Sequence, residues 1–294
     1  YIEVMRARVP ASSANLGPGF DTLALALALY VEVDVEPAAA LSVRSEGEGS
    51  ELPADASHLA ARVATQVAGH DRLAITVRSS IPVGRGLGSS AALAAAAAAA
   101  AGAPDPLAVA ASVDGHPENA AASVLGGLIT ATTIEGVPIA ARLPLDPKLR
   151  FVVLVPSRPL ATARARQALP AQVPHTDAAF NLGRMGILLA GLADHRFLVH
   201  EATEDRLHQT ARTPLFPEST HLLAGLIDAG ALASSWSGAG PTLLAICEES
   251  TAKRVRARGD ELLAEAGVSG SALLLEADLE GLAVEDPPIE REFG

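Results

Sequence analysis

Hydrophobic positions along the chain fall into two spacings that alternate in blocks. The runs IEVMRARVP (2–10), LYVEVDVEP (29–37), LSVRSEG (41–47) and LAITVRS (73–79) are rich in branched residues and read as strands. Helical spacing occupies 57–69, 89–101 and 106–113, followed by the polar turn DGHPEN and the apolar stretch AAASVLGGLITATT. After LPLDPKLR a second series begins with FVVLVPS, which reads as a buried strand. Helices are expected near 163–169, 178–192, 195–204, 219–229 and 251–266, with strands at ALASSWS, PTLLAICE and SALLLEA. Strands and helices mixed in both halves predict an α+β protein of two domains, 1–148 and 149–294. The acidic, proline-bearing end VEDPPIEREFG is expected to fray.

Composition narrows the classes. At 294 residues and 49% hydrophobic, the chain can bury two ordinary cores. Its single cysteine, Cys247, rules out a disulfide framework and a cysteine metal cluster, and fits a reducing cytoplasm. A net charge of −12 argues against a nucleic-acid partner, whose phosphates want a basic face. The longest apolar run, around the alanines, is too short and too weakly hydrophobic for a membrane span, and no signal peptide is legible at the start, which is Tyr1 rather than Met. The expected location is cytoplasmic.

The chemistry concentrates where IPVGRGLGSSAALAAAAAAAAG (81–102) joins a strand to an alanine-rich helix. Gly84, Gly86 and Gly88 can adopt left-handed backbone angles and expose amides, and the helix adds the positive end of its dipole. Such a place suits a phosphate; the plainer alternative is a tight turn before a closely packed helix. The loop has no lysine, so it is not a Walker A sequence, and its third glycine falls one place early for a dinucleotide fingerprint. Ser89 and Ser90 can cap amides, touch phosphate oxygens or help hold magnesium.

Two further glycine-rich stretches, VPASSANLGPGFD (9–21) and SWSGAGPTLLA (235–245), accompany that loop. Together the three resemble the motifs of the GHMP kinases. GHPENAAASVLGGL, VPSRPLATARARQALP and DRLHQTARTPLFP are further similar to segments of the homoserine kinases within that superfamily.

The resemblance implies an N-terminal mixed α/β nucleotide-binding domain and a C-terminal ferredoxin-like α+β domain. It also implies ATP-dependent phosphorylation of L-homoserine to O-phospho-L-homoserine, a step of threonine biosynthesis. Residues 82–92 (Pro82, Val83, Gly84, Arg85, Gly86, Leu87, Gly88, Ser89, Ser90, Ala91 and Ala92) correspond to the ATP phosphate loop. Arg166 and Arg212 correspond to the arginines that grip the substrate carboxylate, whose planar shape suits a guanidinium fork. Asp21 takes the substrate ammonium, and Asn15 lies near the reacting hydroxyl; an Asx turn in ANLGPGFD is the plain alternative. His116 and Asn119 stand in the polar turn by the substrate, where His116 either touches substrate or only fixes the turn.

The third glycine stretch is read equally as structural and as ligand-contacting. The acidic magnesium ligand expected four places before the histidine is Ser112 here, so the metal is assigned to Ser90 and Asp114. The resemblance alone implies a homodimer. The rival readings are a kinase of another small alcohol, disfavoured by the paired arginines and Asp21, and a non-catalytic relative, supported only by Ser112.

Overall fold

The computed structural model describes residues 5–285. Strands β1 (Met5–Asn15) and β2 (Gly19–Pro37) form a long antiparallel ribbon, bent where their register shifts at Pro10/Ala11 and at Ala14/Asn15. Next come β3 (Ser42–Gly47), α1 (Leu59–Ala68) and β4 (Leu73–Ser79), a unit in which β3 and β4 run parallel. Three helices follow: α2 (Ser89–Ala100), α3 (Pro106–Asp114) and α4 (Pro117–Leu125). The hairpin β5 (Leu128–Ile134) and β6 (Val137–Leu143) pairs with the first half of β2, and β4 pairs with its second half.

The remaining chain is β7 (Leu149–Pro156), α5 (Thr162–Gln167), α6 (His175–Ala193), α7 (Gln209–Arg212), α8 (Ser219–Asp228), β8 (Ala233–Trp236), β9 (Leu243–Glu248), α9 (Glu249–Glu265), β10 (Gly270–Leu275) and β11 (Ala283–Glu285). Its four-stranded antiparallel sheet has the order β10-β7-β9-β8, the fourth-first-third-second arrangement of a ferredoxin-like fold. β11 returns to the first sheet and pairs with β1.

Because side chains alternate across a strand, β7 and β9 serve two cores. Phe151, Val153, Val155, Leu244 and Ile246 join the core that contains α2, while Val152, Leu154, Leu243, Ala245 and Cys247 pack with residues of α8 and α9. Burial on both faces is why these strands read as continuous apolar runs. The helix expected at 195–204 is instead two 3-10 turns, His195–Phe197 and His200–Thr203. Long-range contacts override propensity there: Asp146 accepts from the His195 amide, and the Thr203 hydroxyl donates to the Ser234 carbonyl. The expected first strand starts, among the described residues, at Met5, and most of the terminal segment expected to fray lies outside those residues.

Helix α2 is the axis of the larger core. Ala91, Ala92 and residues 94–100 are all buried, so the helix is apolar on every side and is packed by neighbours all round. Alanine keeps helix propensity high while letting backbones approach closely. Ala96→Leu is therefore expected to destabilise the protein by about 1–3 kcal/mol through overpacking, read as a lower urea midpoint. An unchanged midpoint would show that α2 has room to spare.

Candidate functional site

Three backbone segments meet at the start of α2. Gly88 is the residue before the helix, left-handed at φ 66°, and no side chain caps α2. Glycine at this place leaves the first amides and the positive end of α2 without a cap from the residue before the helix. The segment 84–88 is fixed from both sides: the Ser12 amide donates to the Leu87 carbonyl at 3.1 Å, and the Ser237 hydroxyl donates to the Gly86 carbonyl at 2.6 Å. A Cβ on Gly86 would run into the Ser237 carbonyl, and one on Gly88 into the Ser12 hydroxyl.

Arg85 spends its guanidinium on backbone carbonyls, those of Pro156 and Ser157 at the end of β7 and that of Val83 in the loop itself. Leu87, Ala91 and Ala92 are wholly buried in the core. What these four offer a ligand is backbone.

A cleft of about 300 Å³ opens over the loop, lined by Asn15, Asp21, Gly84, Gly86, Gly88, Ser89, Ser90, His116, Asn119, Arg166, Arg212 and Gly238. Val83, Ser89 and Ser90 also line an adjoining apolar pocket of about 160 Å³, walled by Val31, Leu52, Leu59, Val77 and Leu93 with His58. Both substrate arginines expected from the sequence are in the cleft. Arg166 holds Asp21 through two bonds of 2.9 and 3.0 Å, and this pairing, more than any other cause, raises its pKa.

Arg212 is buried; Nη1 donates to the Gly238 carbonyl (2.9 Å) and to His208 Nδ1 (3.0 Å), and Nε donates to the Ala165 carbonyl (3.4 Å). Burial chiefly, and then the Arg166 charge, lower its pKa to about 10, so it stays cationic at neutral pH. Each guanidinium carbon lies 5.6 Å from the centre of the Phe20 ring. Two cations on one ring make a place for an anion.

Asn15 donates to the Gly238 carbonyl at 2.9 Å and accepts from the Asp21 amide at 3.1 Å, which closes the loop 15–21. Asn15, Leu16, Gly17 and Asp21 all have positive φ, a strained run that these bonds hold in place. Asn119 accepts from the Ser12 hydroxyl at 2.9 Å, which brings α4 against Gly88, and His116 precedes α4 without capping it.

Ser112 is turned away: it is exposed and its hydroxyl bonds the Val109 carbonyl of its own helix. Asp114 ends α3, and its side chain lies outside the described residues. Two residues missed in the sequence belong here. Glu118 is 2% exposed and lines the cleft, and its charge reaches Arg166; only the HPEN turn hinted at it. His208 sits one helical turn before Arg212 in DRLHQTAR, an i, i+4 spacing that places both on one helix face.

The chain matches the family models GHMP kinases N terminal domain at residues 54–127 and GHMP kinases C terminal at residues 179–265. A curated homoserine kinase of Rhodococcus opacus is 42% identical over 285 residues, covering 86% of this chain and 90% of that protein. One of Streptomyces coelicolor is 42% identical over 298 residues, covering 95% and 94%. The crystal structure of homoserine kinase from Cytophaga hutchinsonii superposes with a TM-score of 0.84 over 96% of this chain and 98% of that one, at 24% identity.

Burial holds the His208 pKa down to about 4, against 6.5 for an exposed histidine. The unfolded chain therefore binds this proton more readily than the folded one, and the contribution, complete above pH 6.5, is lost as pH falls toward 4. In His208→Gln the slope of stability against pH between 4 and 6.5 should fall by up to about 1.4 kcal/mol per pH unit relative to wild type. Parallel slopes in urea unfolding across that window would contradict a buried neutral imidazole.

Proposed function

The chain belongs to the homoserine kinase family of the GHMP kinases, and on that premise we propose how its cleft transfers the γ-phosphoryl group of ATP to the hydroxyl of L-homoserine, giving O-phospho-L-homoserine for threonine biosynthesis. The observation that carries the reading is one cleft lined by both the uncapped start of α2 and the Arg166, Arg212 and Asp21 cluster. ATP phosphates lie along residues 82–92 on the helix amides, and the base enters the adjoining apolar pocket.

Homoserine is a zwitterion, and the Asp21–Arg166 ion pair is its template. Its ammonium takes Asp21 and its carboxylate takes Arg166 and Arg212, so one internal pair becomes a set of external ones without change of net charge. A hydroxy acid lacking the ammonium has no partner for Asp21, which disfavours mevalonate. Asn15 cannot take up a proton, and the transfer rests on alignment and charge stabilisation rather than on a base beside the hydroxyl. His116 and Asn119 close the substrate side.

Magnesium would supply neutralisation of the phosphate charge. Hard oxygen donors for it line the cleft in Ser90 and Glu118, and we assign it to these together with Asp114. We divide the chain into domains at 148/149, and we take a cytoplasmic homodimer as its working state. Among the described residues, no helix is long and apolar enough to cross a membrane.

A coupled assay should show ATP consumption with homoserine and none with mevalonate, galactose or shikimate; turnover with one of those and not with homoserine would falsify the substrate assignment. Arg166→Ala and Arg212→Ala should each weaken homoserine binding by roughly 10 to 150-fold, the worth of a charge-assisted hydrogen bond, and leave ATP binding nearly unchanged. Equal loss of both ligands in calorimetry removes these arginines from the substrate side. Glu118→Gln should raise the magnesium concentration for half-maximal rate and for half-maximal tightening of ATP binding more than Asp114→Asn does, because a neutral amide is a poor ligand for a hard dication. The reverse order would return the ion to Asp114.

A further inference from the structure

The mechanism above leaves unused the buried imidazole of His208, which packs behind the cleft against Arg212. His208 Nε2 lies 2.8 Å from the Gly17 carbonyl, which can only accept, so Nε2 carries the proton. Nδ1 lies 3.0 Å from Arg212 Nη1, which can only donate, so Nδ1 is an acceptor. The two partners fix one neutral tautomer. The ring is held further by stacking on Phe20 at 5.1 Å between centroids, and its residue by Asp205, whose Oδ2 accepts from the His208 amide at 2.8 Å and from the Gln209 amide at 2.7 Å. Asp205 is anchored in turn by Asn181 at 2.7 Å.

We propose that His208 is the positioning residue that sets the Arg212 guanidinium for the substrate carboxylate and ties it to the loop carrying Asp21. The inference rests on the reading of this cleft as the homoserine site. Arginine has many rotamers, and its fork grips a carboxylate only when its plane is fixed. Nε and Nη1 are fixed by carbonyls and by His208, and among the described residues Nη2 has no partner.

The choice of histidine has a physical reason. A carboxylate at this place would orient Arg212 equally well but would cancel its charge, whereas a neutral imidazole orients the guanidinium and leaves its charge for the substrate. The same ring bonds Gly17 in the left-handed run 15–17, so the grip on the carboxylate and the placement of Asp21 are set by one group.

Two substitutions separate the ring's two bonds. An asparagine oxygen overlays Nδ1 and keeps the acceptor for Arg212; a glutamine nitrogen overlays Nε2 and keeps the donor for Gly17. His208→Gln, which releases Arg212, should raise KM for homoserine about tenfold or more, His208→Asn, which releases only the loop carrying Asp21, should raise it by about three- to tenfold, and both should leave KM for ATP within about twofold. Melting temperatures should fall by similar amounts in both, since each loses one buried bond. Equal rises in both KM values, or a wild-type homoserine KM in His208→Gln, would overturn the proposal.

A substrate-free measurement tells this failure from failure of the substrate reading. Nitrogen NMR of the wild type should show His208 with Nε2 protonated and Nδ1 bare, and Arg212→Met should shift the Nδ1 resonance. A protonated Nδ1, or no shift in the variant, overturns the proposal even if homoserine proves to be the substrate. With the expected resonances, a wild type that ignores homoserine counts against the substrate reading alone.

Discussion

The carbonyl oxygen of Gly238 accepts two hydrogen bonds at 2.9 Å, one from Asn15 and one from Arg212, and the three glycine-rich segments are organised around it. Its own amide donates to the Ala14 carbonyl, the neighbouring Ser237 hydroxyl holds the Gly86 carbonyl, and the Thr242 amide donates to the Arg85 carbonyl. One turn from the C-terminal half thus sets the distance between the loop 15–21 and the phosphate loop. Backbones this close leave no room for a Cβ, which is why glycines recur in segments so far apart in sequence: on Gly86 one would strike Ser237, and on Gly240 the Trp236 ring. The third segment, read equally as structure or as ligand contact from the sequence, performs the structural part through these bonds, and Gly238 and Ala239 also line the cleft.

A chain of net charge −12 that takes a nucleotide's phosphates and a substrate carboxylate needs its positive charge concentrated. Arg166 and Arg212 supply it in different ways. Arg166 is partly exposed and compensated by Asp21, so it can exchange one carboxylate for another at little cost. Arg212 is buried and hydrogen-bonded only to neutral acceptors, with the charges of Asp21 and Asp205 acting on it without direct contact. The loop itself adds no cationic side chain to the cleft, because Arg85 is spent on the carbonyls of Val83, Pro156 and Ser157. On the proposed reading, phosphate there would meet helix amides, and the cations would serve the substrate end.

Much of this was legible because local chemistry and global fold agree. The strand, glycine loop and helix at 73–100 follow from spacing and propensity alone, as do α8, α9 and the strands of the second sheet. Asn15, Asp21, Arg166 and Arg212 came from the resemblance, and the structure brings all four to one cleft. What failed depended on tertiary contacts. The segment 195–204 has helical spacing, yet Asp146 and Ser234 hold its ends in 3-10 turns. β6 is half-exposed and carries Pro138, so its alternation is faint. Glu118 and His208 carry little signal in the sequence because their roles depend on tertiary contacts: α4 carries Glu118 into the cleft, and the two ring partners of His208 come from distant or neighbouring turns.

The proposed phosphate site and the core are one construction. An anion site made from helix amides is only as well placed as the helix, and α2 has no cap and no charged side chain to steady its first turn. Its position is set by the alanine surface buried along its length and by the Ser12 and Ser237 bonds that pin the loop before it. Alanine is suited to that task, since larger side chains would push the neighbouring elements apart and carry the amides with them. The bareness of residues 81–102 thus has two causes acting at the two ends of one element. Glycine lets backbones meet at the start of α2, and alanine lets the helix sink far enough into the core to hold those amides still.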